Sequence, residues 1–591
     1  MRRRVTKVMV GLVAGLALAL TACGGTSAPA STSSTSAAGT SPAAVASRAG
    51  GSVARGGQLV VSLRAEPPTF NRYVRRDATS EVLSTFLNAK LVRINRLTQE
   101  VEPWLAERWT RSDDGRRYTL MLRDGLTFSD GHAFSADDVV FSFDALYDEK
   151  AGNILAEAMK VGGKPLKVTA SDPRTVTIEF PEVFAPGLRL LDNLPILPKH
   201  KLQPALMAGQ FAAAWGVGTM PSEIVGLGPF VLESYTPGQQ TVLVRNPHYF
   251  RKDDKDQPLP YLDRVVFQVV PDQNGELLRL EAGEIDATSS EVRPDDYAPL
   301  KRAADAGKVQ LLDLGVGYDA DALWLNLKPD AFKGDPRAAW IQRDEFRQAI
   351  SYAVDRQQFA DTVYLGAAVP VFGPITPANK TWYSAAVPPT PHDPAKAKAL
   401  LESIGLRDRN GDGRLEDERG TPVRFTVLTQ KGRTLLERGA AVIRDDLAKI
   451  GVTLDVVPLE GGDLIQRFAA ARQYDAVYFT ILTTDTDPGV NPDFWMSRGS
   501  AHIWNHEQAQ PATDWERRID RLMDEQTHTT DAAKRQALFA EVQAVFAEHL
   551  PMIHFAAPKV YVAASSRVTH VTPALLRPQL LWAPDIIAVR P

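Results

Sequence analysis

The chain has 591 residues, 44% of them hydrophobic and 23% charged, with a formal net charge of −4. That length exceeds one ordinary domain, so two or three lobes around sizeable cores are expected. Mild acidity argues against a nucleic-acid partner, which needs a basic face, and a single cysteine excludes an internal disulfide framework or a cysteine-rich metal site.

Arg2, Arg3, Arg4 and Lys7 make a basic start, and residues 8–20 are apolar but too few to span a bilayer. This pattern reads as an export signal. Leu20-Thr21-Ala22-Cys23 resembles a bacterial lipobox. The resemblance implies cleavage after residue 22 and a diacylglyceryl chain on the Cys23 thiol. Removing residues 1–22 leaves 63 Lys and Arg against 71 Asp and Glu, a more acidic mature chain. Residues 23–56 are mostly Ser, Thr, Ala, Gly and Pro. Such a segment buries too little apolar surface to offset chain entropy and is expected to act as a flexible tether, with a reach on the order of 30 Å.

The folded body is expected from Gly57. Residues 58–63 read as a strand, and residues 64–71, with Pro67-Pro68, as an irregular loop. Residues 106–143 are rich in signals. Asp113-Asp114-Gly115, Asp124-Gly125 and Ser129-Asp130-Gly131 are turns, because glycine supplies a positive φ and Asp or Ser closes the turn locally. Residues 118–123 read as a strand and residues 126–128 as a short return strand. Ser135 and Asp138 form a capping-box pattern ahead of Val139, Val140, Phe143 and Leu146 at helical spacing. Further on, residues 265–270 read as a buried strand. Residues 276–281 read as a helix with Gly283 at its C-cap. Phe346, Ile350, Ala353 and Val354 mark one apolar helix face, and residues 477–482 another strand. Strands and helices alternate, which argues for α/β lobes.

The 106–143 stretch also resembles a signature of the solute-binding proteins that serve oligopeptide and dipeptide ABC importers. Trp109, Asp114, Gly115, Tyr118, Leu122, Arg123, Gly125, Phe128, Asp130, Gly131, Ala136, Asp138, Val139, Phe141 and Ser142 fall in its register. Blocks at residues 226–250, 260–287, 324–356 and 366–374 resemble the same family in the expected order. The resemblance implies an α/β, two-lobed, periplasmic-binding-protein-like clamp with an extra inserted domain. It places lobe I at residues 57–90, 221–314 and 560–591, the inserted domain at 91–220, and lobe II at 315–559.

Candidate chemistry is sparse. Residues 408–416 resemble the first half of a calcium loop, but position twelve is Arg419 where a bidentate Glu is needed, so a polar turn is the preferred reading. His502 and His506 are spaced i, i+4, without the Glu of a metalloprotease helix and beside loop-forming residues. No phosphate-binding loop, nucleophile elbow or dinucleotide fingerprint is present in the sequence. No cofactor, metal or catalytic residue is expected.

The most informative stretch is residues 474–488. A strand ends in Thr483-Thr484-Asp485-Thr486-Asp487-Pro488. In peptide-binding relatives the equivalent strand end pairs with an extended ligand, and its first Asp holds the ligand's α-ammonium. The resemblance assigns that role to Asp485, with Thr483, Thr484 and Asp487 beside it. Ile481-Leu482 replaces the family's Gly-Trp, and the segment is one residue shorter. The alternative is that both Asp side chains only cap the turn before Pro488. The loop carrying Glu66 and Phe70 lies beside the ligand in the family. Asn326 from the 324–356 block and Trp504 as an aromatic wall complete the expected ligand contacts.

These features imply a non-enzymatic, lipid-anchored receptor on the extracytoplasmic face of the bacterial membrane. It is expected to be a monomer that delivers an oligopeptide-like solute to ABC permease subunits. A non-peptide solute such as an oligosaccharide, metal chelate or opine is the alternative, and a tethered cell-wall hydrolase a more distant one. Replacing Cys23 by Ala is expected to release the processed protein from membranes. Fractionation with lipid labelling checks this, and a variant that is cleaved yet still sediments with membranes contradicts the lipobox reading.

Overall fold

The computed structural model describes residues 53–75 and 77–590. The expected export signal, Cys23 and nearly all of the expected tether therefore lie outside the described residues. Among those described, no helix is long and apolar enough to cross a membrane.

Three sheets organise the body. The largest has eight strands. Its first strand, Gln58–Leu63, pairs in parallel with Arg264–Val269 and with the short Ala287–Thr288. Arg264–Val269 continues antiparallel into the hairpin Phe230–Thr236 and Gln240–Arg245. On the far side, Ala556–Ser565 pairs antiparallel with Val309–Val316 and with Ala368–Pro370. Val, Leu and Phe dominate these strands, as expected where both faces are covered. Leu59, Val61 and Leu63 are buried in one core with Phe86, Phe230 and Phe267.

A four-stranded antiparallel sheet takes the chain between the first strand and that hairpin, in the order Ala106–Arg111, Arg117–Leu122, Thr175–Glu179, Lys167–Asp172. The turn glycines Gly115, Gly125 and Gly131 all have positive φ, as their turns require. The helix Ala136–Tyr147 starts with a true capping box. The Ser135 side chain caps the first turn, and the Asp138 carboxylate accepts the Ser135 N–H at 2.9 Å. The expected strand at 126–128 does not form. That segment makes only an isolated bridge, Thr127 to Ala133, closed by Phe128 N donating to His132 O at 2.8 Å and Phe134 N to Leu126 O at 2.9 Å. Arg93 lies over Trp104 at 3.8 Å and over Trp582 at 4.8 Å, and Arg251 lies over Trp104 at 4.4 Å. This alternating stack of cations and indoles ties the four-stranded portion to the C-terminal segment.

The third sheet has five strands. Arg424–Gln430 pairs in parallel with Thr453–Leu459 and with Ala476–Ile481. The helix Thr434–Lys449 makes the crossover that parallel pairing requires, burying Leu436, Ala440, Ile443 and Leu447. Ala320–Leu325 completes the sheet antiparallel to Ala476–Ile481 and to Met552–His554. All six residues of Ala320–Leu325 are buried, Asp321 included. Asp321 accepts hydrogen bonds from the hydroxyls of Tyr364, Tyr478 (2.9 Å) and Thr480 (2.6 Å), which satisfies a carboxyl that burial alone would penalise.

The chain passes between the large and five-stranded sheets at residues 317–319 and returns at Phe555. The two crossings lie side by side: Gly317 N donates to Pro558 O at 2.8 Å and Phe555 N to Asp321 O at 3.1 Å. A Cβ at Gly317 would sit 3.0 Å from Val560 and 3.1 Å from Pro558 O, so glycine permits this close approach. Two adjacent crossings between separately cored bodies are the geometry of a hinge. The returning strand begins at Ala556, four residues before the border expected from the sequence, and Ala368–Pro370 joins the large sheet with it.

His554, the last residue of the strand Met552–His554, is buried, and its Nδ1 has no hydrogen-bond partner among the described residues. Burial, with the nearby Arg356 cation adding to it, pushes its pKa down to about 3. The unfolded value is about 6.5. The folded state therefore binds fewer protons between these values, and the contribution to stability is complete above pH 6.5 and lost as pH falls towards 3. About 2 kcal/mol of this contribution is expected to be gone at pH 5 relative to pH 7.5. Urea unfolding of wild type and His554→Leu at the two pH values checks this. The variant should lose markedly less, and equal losses contradict the assignment.

Candidate functional site

A cavity of about 880 Å³ opens between the four-stranded portion and the five-stranded portion. The strand Ala476–Ile481 leads directly into it. Leaving the sheet, the chain is locked by Asp319, whose Oδ1 accepts the Thr483 N–H at 2.7 Å, while the Thr483 hydroxyl donates to Tyr318 O at 3.1 Å. Asp319 is itself held by Arg577 at 2.7 Å. The strand end is thus fastened to the hinge crossing and to the C-terminal segment together. Neither the Thr484 nor the Asp485 N–H finds a partner among the described residues.

Asp485 lies on the cavity wall and is almost fully buried. Its Oδ1 accepts from Arg189 Nε at 2.8 Å and from Asp487 N at 2.8 Å, and its Oδ2 has no hydrogen bond. Arg189 comes from the turn Gly187–Asn193, on the opposite side of the cavity. Its Nη2 also reaches the Thr486 hydroxyl at 3.1 Å, and Gln99 Oε1 accepts from that hydroxyl at 2.9 Å. A backbone bond from Ala185 N to Thr527 O, 2.6 Å, bridges the same gap. Desolvation raises the pKa of Asp485, and the Arg189 charge partly offsets that rise.

Asp487 has a different environment. Its carboxylate pairs with both Nη atoms of Arg535, at 2.7 and 3.0 Å, and caps the turn Pro488–Val490 through the Gly489 N–H at 2.9 Å. It does not line the cavity, so the contact expected of it is replaced by a structural one. Thr483, Thr484 and Asp485 do line it.

The other four expected contacts lie elsewhere. Glu66 is exposed and accepts hydrogen bonds from the Tyr235 hydroxyl and from Gly238 N at 2.7 Å. Phe70 is buried edge-on against Tyr235. Asn326 is buried and donates to Tyr474 O at 3.2 Å and Arg472 O at 3.3 Å, fixing the chain before the cavity strand. Trp504 is fully buried between Phe494 and Phe546. An aromatic close to a strand end in sequence serves a core as readily as a wall.

Residues that the sequence did not single out complete the cavity. Ile154 and Leu482 are 51% and 57% exposed and face it from opposite sides. Phe184, Tyr318, Phe494 and Arg498 also line it. Arg189 left no signal, since nothing local marks a partner 296 positions away. The two metal-like motifs are otherwise engaged. Asp408 accepts the N–H groups of Gly411 and Gly413 at 2.7 and 2.9 Å. His502 faces Phe494 O and Glu516, while His506 faces Ser500 O. Among the described residues, no group of three or more His, Cys, Asp or Glu is placed to hold a metal ion.

Comparison with known proteins matches this architecture. A probable ABC transporter-binding protein of Deinococcus radiodurans is 27% identical over 522 residues, covering 85% of this chain and 86% of its own length. The oligopeptide-binding protein AppA of Bacillus subtilis is 26% identical over 95% of both chains. Its solved structure with a nonapeptide superposes with a TM-score of 0.72, covering 91% of this chain and all of that one, at 24% identity. Heme-binding protein A of Haemophilus influenzae is 29% identical over 81% of this chain and 83% of its own length. These relatives are named as binding proteins, and the fold is the multi-domain clamp expected from the sequence. Residues 100–502 match the family described as bacterial extracellular solute-binding proteins, family 5 Middle, and the chain belongs to that family of ABC-transporter solute-binding proteins.

Proposed function

We propose that the protein captures an oligopeptide-like solute in the cavity between residues 154–190 and 481–501 and hands it to ABC permease subunits. A lipid on Cys23 holds it to the extracytoplasmic face of the membrane. The observation that carries this reading is the strand end on the cavity wall. Thr484 and Asp485 offer free backbone N–H groups, and Asp485 offers an uncommitted carboxylate oxygen. An extended peptide docks on such an edge by main-chain hydrogen bonds, which tolerate many side-chain sequences. Its α-ammonium would meet Asp485 Oδ2 and complete the compensation of a charge that Arg189 only partly balances.

A second reading is a non-peptide solute. Two observations favour it: Asp485 already has a cationic partner, and one relative is named for heme binding. A cationic amino terminus is not required to neutralise the wall.

Calorimetry on wild type and Asp485→Asn, each with a tripeptide and its N-acetylated form, separates the two. Loss of one partner of a buried charge pair costs about 2–5 kcal/mol, or roughly 30- to 4,000-fold in affinity. The free tripeptide is expected to weaken by that much in the variant, and the acetylated one far less. Burial raises the Asp485 pKa, so wild-type affinity for the free tripeptide should also fall as pH is lowered through that raised value. Equal losses for both peptides would move the non-peptide reading ahead.

A further inference from the structure

The charged side chains of the cavity wall are almost all committed. Lys160 pairs with Glu157 at 2.5 Å, Asp485 with Arg189, and Glu507 with Arg472. Glu182 and Asp524 lie 3.6 and 3.7 Å from His528, and Asp493 accepts from Ser500 and Ala501. Arg498 is the exception: its guanidinium has no hydrogen bond or ion pair with any described residue.

The backbone beneath Arg498 is fixed all the same. Ser497 is bound to Asp520 through its N–H at 2.7 Å and its hydroxyl at 2.5 Å. Gly499 packs so tightly that a Cβ there would lie 1.8 Å from Asp493 O. Ser500 N donates to Asp493 at 2.9 Å. Arg498 is exposed on the cavity wall; its backbone is held in place, so an anion meeting it must order only the side chain. The planar guanidinium fork matches the two oxygens of a carboxylate or phosphate.

We propose that Arg498 binds an oxyanion of the solute, and that the solute class is an anion with an apolar body. Ile154 and Leu482, exposed on opposite sides of the same cavity, supply the apolar walls. This deepens the reading above and rests on the cavity being the solute site, but it does not require the solute to be a peptide.

The test is a matched panel: the tripeptide Ala-Leu-Phe and its C-terminal amide, with hexanoate, hexyl phosphate and hexanamide. Affinities are measured for wild type, Arg498→Gln and Arg498→Lys, with thermal melts confirming that each variant folds. At least one anion should bind wild type roughly 30-fold or more tightly than its neutral counterpart. Arg498→Gln should reduce that preference to less than about threefold and leave the neutral compounds unchanged. Arg498→Lys, which keeps charge but loses the fork, should fall between them. Carboxylate and phosphate members identify which oxyanion is read. Tight binding of the tripeptide and its amide alike overturns the Arg498 assignment and leaves the peptide reading standing. Arg498-dependent binding of hexanoate or hexyl phosphate without the tripeptide does the reverse. A preference that survives in Arg498→Gln, or no binding by any anion, overturns the proposal.

Discussion

The ion pair between Arg189 and Asp485 joins two parts of the chain that share no sheet, and the shape of the cavity depends on it. Both side chains are almost completely withdrawn from water. Their mutual attraction must offset the loss of hydration on both sides, and such pairs often come close to breaking even. A contact of that kind suits a moving part. When the gap opens, water replaces each partner, so opening does not strand a buried charge. The Gln99 to Thr486 bond and the Ala185 to Thr527 bond would part in the same motion. In such a motion the crossings at residues 317–319 and at Phe555 would turn and the sheets would stay intact.

The same interaction shapes the chemistry of the cavity. Arg189 partly neutralises Asp485 from within, while Arg535 fully occupies Asp487. Two acids separated by one residue thus have separate fates, one on the wall and one in the supporting turn. Among the groups on the cavity wall without a partner in the described residues are one Asp485 carboxylate oxygen, the Thr484 and Asp485 N–H groups and the Arg498 guanidinium, beside the exposed Ile154 and Leu482 side chains.

Much of the fold was legible because it is written locally. The Ser135–Asp138 capping box, the glycines at 115, 125 and 131, the Gly283 cap and the alternation of strands with helices each depend on a few neighbouring residues. The strand that feeds the site was legible for the same reason, and with it the position of Asp485. The rest of the site depends on tertiary pairing. Asp485 meets an arginine nearly three hundred residues earlier, and no pattern near either residue announces it. Trp504 and Asn326 show the converse error. Their types and positions suited a binding wall, yet Trp504 fills a core and Asn326 satisfies backbone carbonyls behind the strand. Residue type near a strand end does not reveal which side of the sheet a side chain takes.

The central claim is that the Arg189–Asp485 pair holds the two sides of the cavity together across a hinge. Electron–electron distance measurement between spin labels at Lys164 and Arg518, in otherwise wild-type protein and in Arg189→Met, tests it directly. Both label positions are exposed; Lys164 follows Gly162 and Gly163 of one cavity wall, and Arg518 lies on the helix Asp514–His528, which supplies Asp524 and Thr527 to the other. A short, narrow distance distribution in the first protein, and a longer, broader one in the variant, is the predicted result. Identical distributions in the two proteins would contradict it and leave the pair a passive contact between rigidly joined bodies.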